Sequence, residues 1–489
     1  MKTNFYVILL TLFLAACTKH EYVFDDYANS NFELDLILSL NGNKCFLDSQ
    51  SGTLKYSLSS DNLDDFSPFT VFESGSQISF EGQELANNKI NNLGNVILNK
   101  PYNLTVKTTS SIHTFKLIFT NLPLVQIINF DDIKNEPKLL SKLLIQSPKG
   151  PKEGVNTYVG IEVRGKSSLS NPKKSYGFKV LENKNMKSSV SMPFFDMSPN
   201  SKWSLDAMYI DQSKNRNKTS FEIWNSLSNS SIKSKYVEVF LNNKSLGLYR
   251  FSENYTEELL QLENDASIYV GLDNSDYTKF KKLPKNEPKS AIWTDWRQYF
   301  PNPKTAIYWN DFYALNTLIV EGSNQQFINE IENHMDMDNL IDYYLFMNLC
   351  YGYDNVGKNW YFMKRSASEK FEILLWDMDA TWGRNHKGQA ISSELLISNS
   401  LFERLVSLNP NEFNQKIKTR WTQLRTNQFS RAVLIDKFDS NFKQVSQSEI
   451  IETENGIWNT SVNLDTEQLY INNWIIDRLL FLDDYYDAL

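Results

Sequence analysis

Between Phe32 and Leu122 the chain alternates apolar and polar residues over short stretches, as in Phe32-Glu33-Leu34-Asp35-Leu36 and Thr114-Phe115-Lys116-Leu117-Ile118-Phe119. Asn-Gly, Ser-Gly and Asn-Lys-Pro turns separate these stretches. A period of two suits strands buried on one face, and turns at this spacing predict an Ig-like β-sandwich module of about seven strands over residues 32–122. The region 123–489 opens with further strand-like segments at Tyr158 to Arg164, Tyr176 to Val180, Tyr236 to Phe240 and Gly247 to Phe251, the last two joined across Asn242-Asn243-Lys244. Helical spacing of apolar residues appears at Lys218 to Leu227, Asp338 to Leu349, Ser400 to Leu405 and Trp474 to Leu482, and the chain reads as mostly helical beyond Asn310. A β-rich first half followed by an α-rich second half predicts an α+β fold.

The chain begins Met1-Lys2, continues with an apolar run from Phe5 to Leu14, and then reads Ala15-Ala16-Cys17. A charged start, a short apolar core and small residues mark an export signal, and the run is about half the length that spans a bilayer. Leu14-Ala15-Ala16-Cys17 has the form of a lipobox, so residues 1–17 read as a lipoprotein signal peptide with Cys17 as the lipidation site. Residues 18–31, polar and acidic, read as a tether. The expected location is the cell envelope, with the protein held to the membrane through its lipid anchor on the periplasmic or cell-surface face.

Composition narrows the picture further. A length of 489 residues points to two domains, and a net charge of -8 argues against a nucleic-acid partner. Beyond Cys17 only Cys45 and Cys350 remain, one in each region, which argues against a disulfide framework or a cysteine zinc site. His20, His113, His334 and His386 are scattered and form no metal-ligand pair.

The stretch from Tyr344 to Gly383 carries the chemistry. A helix ending near Tyr351 leads to Asp354 and Asn359 in a polar loop; two short apolar segments, Trp360 to Met363 and Phe371 to Trp376, follow, and the second delivers Asp377-Met378-Asp379. That is the order of a protein-kinase active site: a carboxylate that takes the acceptor's proton, then an amide and a carboxylate that hold Mg²⁺ against phosphates. On this reading Asp354 is the catalytic base, while Asn359 and Asp377 or Asp379 are metal ligands. Alternate residues of an emerging strand face opposite ways, which leaves the choice within the pair open, with a slight preference for Asp379. The same residues also fit helix caps and turns.

Val163-Arg164-Gly165-Lys166-Ser167-Ser168 and Pro172-Lys173-Lys174-Ser175-Tyr176 are similar to the RGxSS and PKKSY signatures of the CotH kinases, a family the chain resembles over most of its length. Trp203-Ser204-Leu205 with Asp211 and Arg216-Asn217, Val237 to Asn242, and Gly247-Leu248-Tyr249 with Glu253 follow in family order. Trp376 to Gly383 resembles WDxDxTxG, and Trp474-Ile475 with Arg478 and Phe481-Leu482-Asp483 resembles the closing helix. The resemblance implies a kinase-like domain over 123–489 that binds ATP and Mg²⁺ and phosphorylates serine or threonine of extracytoplasmic proteins. It also implies nucleotide contacts from Arg164, Ser167, Ser168 and Lys174, with Glu253 either pairing with Lys174 or facing water. Two other functions fit the residues. One is a surface interaction lipoprotein whose kinase-like scaffold binds protein or glycan without catalysis; the other is a carboxylate-pair glycosidase.

Overall fold

The computed structural model describes residues 22–23, 34–60, 63–150, 153–184, 188–272, 280–285 and 288–489. Cys17, most of the 18–31 tether, the start of the first alternating stretch and the Ser167 side chain lie outside the described residues. Tyr22–Val23, within the segment read as a tether, pair in parallel with Lys138 and Leu139.

The module is all-β, in two sheets. Phe46–Asp48, Thr53–Ser57, Ile112–Thr120, Pro101–Lys107, Gln77–Phe80 and Gln83–Glu84 form one; Asn43–Lys44, Ser39–Leu40, Phe69–Val71 and Lys89–Ile90 form the other. The alternation in Ile112–Thr120 turns Leu117 and Phe119 inward, where they pack with Leu54 and Leu104. Side chains join the module to the second domain. Lys55 Nζ, itself half-buried, reaches the buried Glu238 Oε2 of the second domain at 2.7 Å, and the Phe46 ring meets Phe240 at 5.8 Å beside Leu124.

The second domain starts with seven strands that close on themselves. Leu124–Ile128, Lys138–Gln146, Val155–Arg164, Ser175–Leu181, Lys202–Asp206, Lys244–Glu253 and Ser234–Leu241 pair in that order, and the last returns to Leu124–Ile128 in parallel. Such closure removes the sheet edge and leaves an interior for side chains to fill. Val125, Val159, Ile161, Val180, Trp203, Leu205, Val237 and Tyr249 fill it. The turn between the last two strands in sequence places Asn242 and Asn243 at φ 48° and 62°, the left-handed region that asparagine tolerates best after glycine.

Beyond the barrel, Ser267–Leu272 anchors a five-stranded sheet that also contains Ile292–Trp293, Trp296–Phe300 and the hairpin Lys358–Lys364/Glu372–Leu374. Helices pack against it from Asn310 onward. Arg216–Asn225, Met337–Cys350, Ser400–Leu408 and Leu464–Ala488 fall on the four segments with helical spacing, the first ending at Asn225, two residues short of Leu227. The fold is α+β. Cys45 and Cys350 are both free and buried in separate cores. Among the described residues no helix is long and apolar enough to cross a membrane.

Candidate functional site

The helix Met337–Cys350 begins where the Asp336 carboxylate accepts the N–H of Asn339 at 2.9 Å, and it ends where Tyr351 takes a left-handed conformation, φ 52°. An N-cap carboxylate and a left-handed terminator set both ends of the helix. The chain then folds into a short 3₁₀ turn, Tyr353–Asn355, that presents Asp354. Asn355 ties this turn to the neighbouring strand's exit, donating through Nδ2 to the Trp376 carbonyl. The Tyr343 hydroxyl donates to the Asn355 carbonyl at 2.6 Å.

Three of the candidate residues meet. Asn359 Nδ2 lies 3.3 Å from Asp354 Oδ2 and 3.3 Å from Asp377 Oδ2, so a single amide bridges the base candidate and one metal-ligand candidate. Both Asn359 and Asp377 sit at positive φ, 58° and 55°. Backbone held in this region away from glycine is concentrated at functional sites. The strand read as Phe371 to Trp376 is shorter in the structure, Glu372–Leu374, and beyond it Asp377 takes its positive φ and the chain turns at Asp379-Ala380. That turn is closed by the Thr381 hydroxyl, which donates to the Met378 carbonyl at 2.6 Å.

The carboxylates here repel one another. Asp377 is pushed up from its ordinary value by burial and by the charges of Asp206 and Asp354, with Lys358 and Arg164 opposing. Asp379 is pushed well up by burial and by Asp377, Asp206, Asp211 and Asp354. Half-buried, mutually repelling carboxylates suit a hard divalent cation such as Mg²⁺, which takes few protein ligands and completes its shell with water and phosphate; Asn359 here presents its amide N–H groups, not its oxygen, to Asp354 and Asp377. Among the described residues no group of three His, Cys, Asp or Glu side chains is arranged to hold a metal ion.

The cations fall differently from the sequence expectation. Arg164 does reach the site: its guanidinium lies 5.4 Å from the Trp376 ring centroid, and its Nη1 donates to Asn254 Oδ1 at 3.2 Å. Lys174 turns away, donating to the carbonyls of Leu169 at 2.7 Å and Asn171 at 2.6 Å. Glu253 neither pairs with Lys174 nor faces water. It is buried and accepts the backbone N–H groups of Ser198 and Lys233 at 3.0 and 2.7 Å. The preceding lysine carries the charged network instead, since Lys173 Nζ lies 2.7 Å from Glu454 Oε1 with both side chains buried. Burial lowers Lys173 to about 8 despite that partner. Gly165, at φ 121°, makes a tight turn over which the Ser168 side chain folds back.

Sequence reasoning missed Lys358, whose Nζ lies 3.3 Å from Asp354 Oδ2, and Asp206, which Arg250 Nη2 holds at 2.9 Å. Lys358 directly precedes Asn359, so its place in the loop was a usable signal; Asp206 carried none. Two cavities, about 310 Å³ between module and barrel and about 700 Å³ beside Asp342 and Arg420, are lined by none of the candidate residues.

Other motif residues hold the frame. Gly383, at φ 86°, leaves no room for a Cβ, which would stand 2.7 Å from the Trp474 ring. Arg478 is fully buried and spreads over the carbonyls of Asn348, Ser393 and Leu395.

A family model described as CotH kinase protein matches residues 161–482. Inner spore coat protein H of Bacillus subtilis (strain 168) is 24% identical over 293 residues, covering 58% of this chain and 78% of that protein.

Proposed function

Because the chain belongs to the CotH kinase protein family, we propose that it is an exported, lipid-anchored atypical kinase that transfers the γ-phosphoryl group of ATP to serine or threonine hydroxyls of extracytoplasmic proteins. The observation that carries this reading is the convergence of Asp354 and Asp377 on the Asn359 amide.

In the proposed mechanism Asp354 orients the acceptor hydroxyl and takes its proton as the oxygen attacks phosphorus. General-base assistance of this kind contributes typically a hundredfold or more, as an order of magnitude. Asn359, once its amide turns to present the oxygen, and Asp377 would hold Mg²⁺; when bound, the ion would neutralise charge on the transferring phosphates. Between Asp377 and Asp379 the shared contact with Asn359 favours Asp377, reversing the preference drawn from strand alternation. Arg164 and Lys358 supply fixed positive charge beside the carboxylates, where an arginine fork and a lysine point charge suit phosphate oxygens. The reading includes a kinase-like arrangement of barrel and helical half, an Ig-like module, and lipidation at Cys17.

The test is transfer of labelled phosphate from ATP with Mg²⁺ to the protein itself or to envelope proteins. Absence of transfer with every divalent cation, together with no nucleotide-dependent change in melting temperature, would overturn the reading. The engagement of Lys174 and Glu253 away from each other favours a second reading, a non-catalytic kinase-like scaffold on a surface lipoprotein. Its mark would be partner binding that is indifferent to nucleotide and survives Asp354→Asn.

A further inference from the structure

The turn that carries Asp377 and Asp379 is held from outside by two consecutive side chains of another element. Arg216 and Asn217 open the helix Arg216–Asn225 and are almost fully buried, at 1% and 5% exposure. Arg216 Nε donates to the Thr381 carbonyl at 3.0 Å, which fixes the end of the turn. Asn217 Oδ1 accepts the Met378 N–H at 3.2 Å, which fixes its start, between the two aspartates. The other end of the same amide faces the barrel: Asn217 Nδ2 donates to Asp206 Oδ2 at 3.3 Å, and that carboxylate is itself held by Arg250. With an N–H on one side and a carboxylate on the other, only one orientation of the amide satisfies both partners.

We infer that Asn217 is a positioning residue for the cation-binding turn, joining the Met378 backbone to Asp206 on the barrel so that Asp377 keeps its left-handed conformation. The inference rests on the kinase reading for the identity of the ligand but has a readout that does not. Leucine or alanine cannot replace a group that both donates and accepts, and serine is too short to reach both partners. Partners that orient a metal ligand from behind cost about 10–100-fold in metal affinity when lost.

The test uses the full mature chain. Mn²⁺ is titrated by calorimetry in the presence of a non-hydrolysable ATP analogue, and hydrogen exchange at the Met378 amide is followed in the metal-free protein. Asn217→Ala is expected to weaken Mn²⁺ binding about tenfold or more and to accelerate Met378 exchange. Asn217→Asp, which keeps the acceptor but sets a carboxylate against Asp206, is expected not to restore slow exchange. If Asn217→Ala fails to fold, Asn217→Ser carries the same expectation. Unchanged Met378 exchange in the Ala or Ser variant, or unchanged Mn²⁺ affinity where the wild type binds, overturns the inference. A wild type that binds no Mn²⁺ overturns the kinase reading instead, and the exchange result still decides the role of Asn217.

Discussion

Replacing Asp377 by Asn should stabilise the metal-free protein while abolishing its response to Mg²⁺. The oxygens of Asp354 and Asp377 that share the Asn359 amide each lie 3.3 Å from its nitrogen, which places them no more than about 6.6 Å apart. Two unit charges at that separation repel by about 2.5 kcal/mol at an effective dielectric constant of about 20. Both groups are partly open to solvent and Lys358 lies alongside, so the net gain on removing one charge is about 1 kcal/mol. Asparagine accepts the left-handed backbone at this position without added strain. The expected rise in melting temperature in chelator is roughly 1–3 °C. The sign follows from linkage. Asp377 titrates above its ordinary value in the folded state, so its stabilisation is complete below the unfolded value and is lost as pH rises through the folded one. The advantage of Asp377→Asn therefore grows from acid to neutral pH, and Mg²⁺ should stabilise the wild type but not the variant. Thermal melts followed by circular dichroism, in chelator and in excess Mg²⁺ across that range, give the answer. A variant that melts below the wild type in chelator at neutral pH, or one that keeps the full Mg²⁺ response, would refute the reasoning.

Other expectations concern the frame and the anchor. Lys55→Met leaves Glu238 buried without its cation and should cost about 3 kcal/mol, read as a lower guanidinium midpoint; a change under about 0.5 kcal/mol would mean the module is not coupled to the barrel through this pair. Gly247→Ala meets both a positive φ of 81° and the Glu454 carboxylate, so it should lose about 2 kcal/mol or more by the same measurement. Cys17→Ser should move the protein from the membrane fraction to the soluble fraction with an unchanged melting temperature, and retention in the membrane would count against lipidation.

Local pattern made much of the fold legible. Ser175–Leu181 and Lys244–Glu253 were visible as strands because aromatic and aliphatic residues alternate there between turn signals, and Met337–Cys350 was visible because its apolar spacing runs unbroken to a glycine. Barrel closure was not, since it depends on Leu124–Ile128 pairing in parallel with Ser234–Leu241 far along the chain, a matter of long-range register that leaves no local trace. The strands between Ser267 and Phe300 escaped because they are short and rich in buried aromatics, so they lack period-two alternation. In the site, Asp354, Asn359 and Asp377 were legible as an ordered set within one loop and hairpin. The pairing of Lys173 with Glu454 was not, because the partner lies far along the chain on the helix Ile450–Trp458. Two adjacent lysines in Pro172-Lys173-Lys174-Ser175 offer no sequence reason to prefer the first. Burial decides it, placing Lys173 inside and turning Lys174 back on its own loop.

The central claim is phosphoryl transfer with Asp354 as base and Asp377 as metal ligand. It is tested most directly by incubating the wild type, Asp354→Asn and Asp377→Asn with labelled ATP and Mg²⁺, following both transfer and nucleotide binding. The account expects transfer by the wild type. It expects retained nucleotide binding with transfer reduced about a hundredfold or more in Asp354→Asn, and loss of both Mg²⁺-dependent binding and transfer in Asp377→Asn. Equal transfer by all three proteins, or loss of nucleotide binding in Asp354→Asn with full binding in Asp377→Asn, would contradict it.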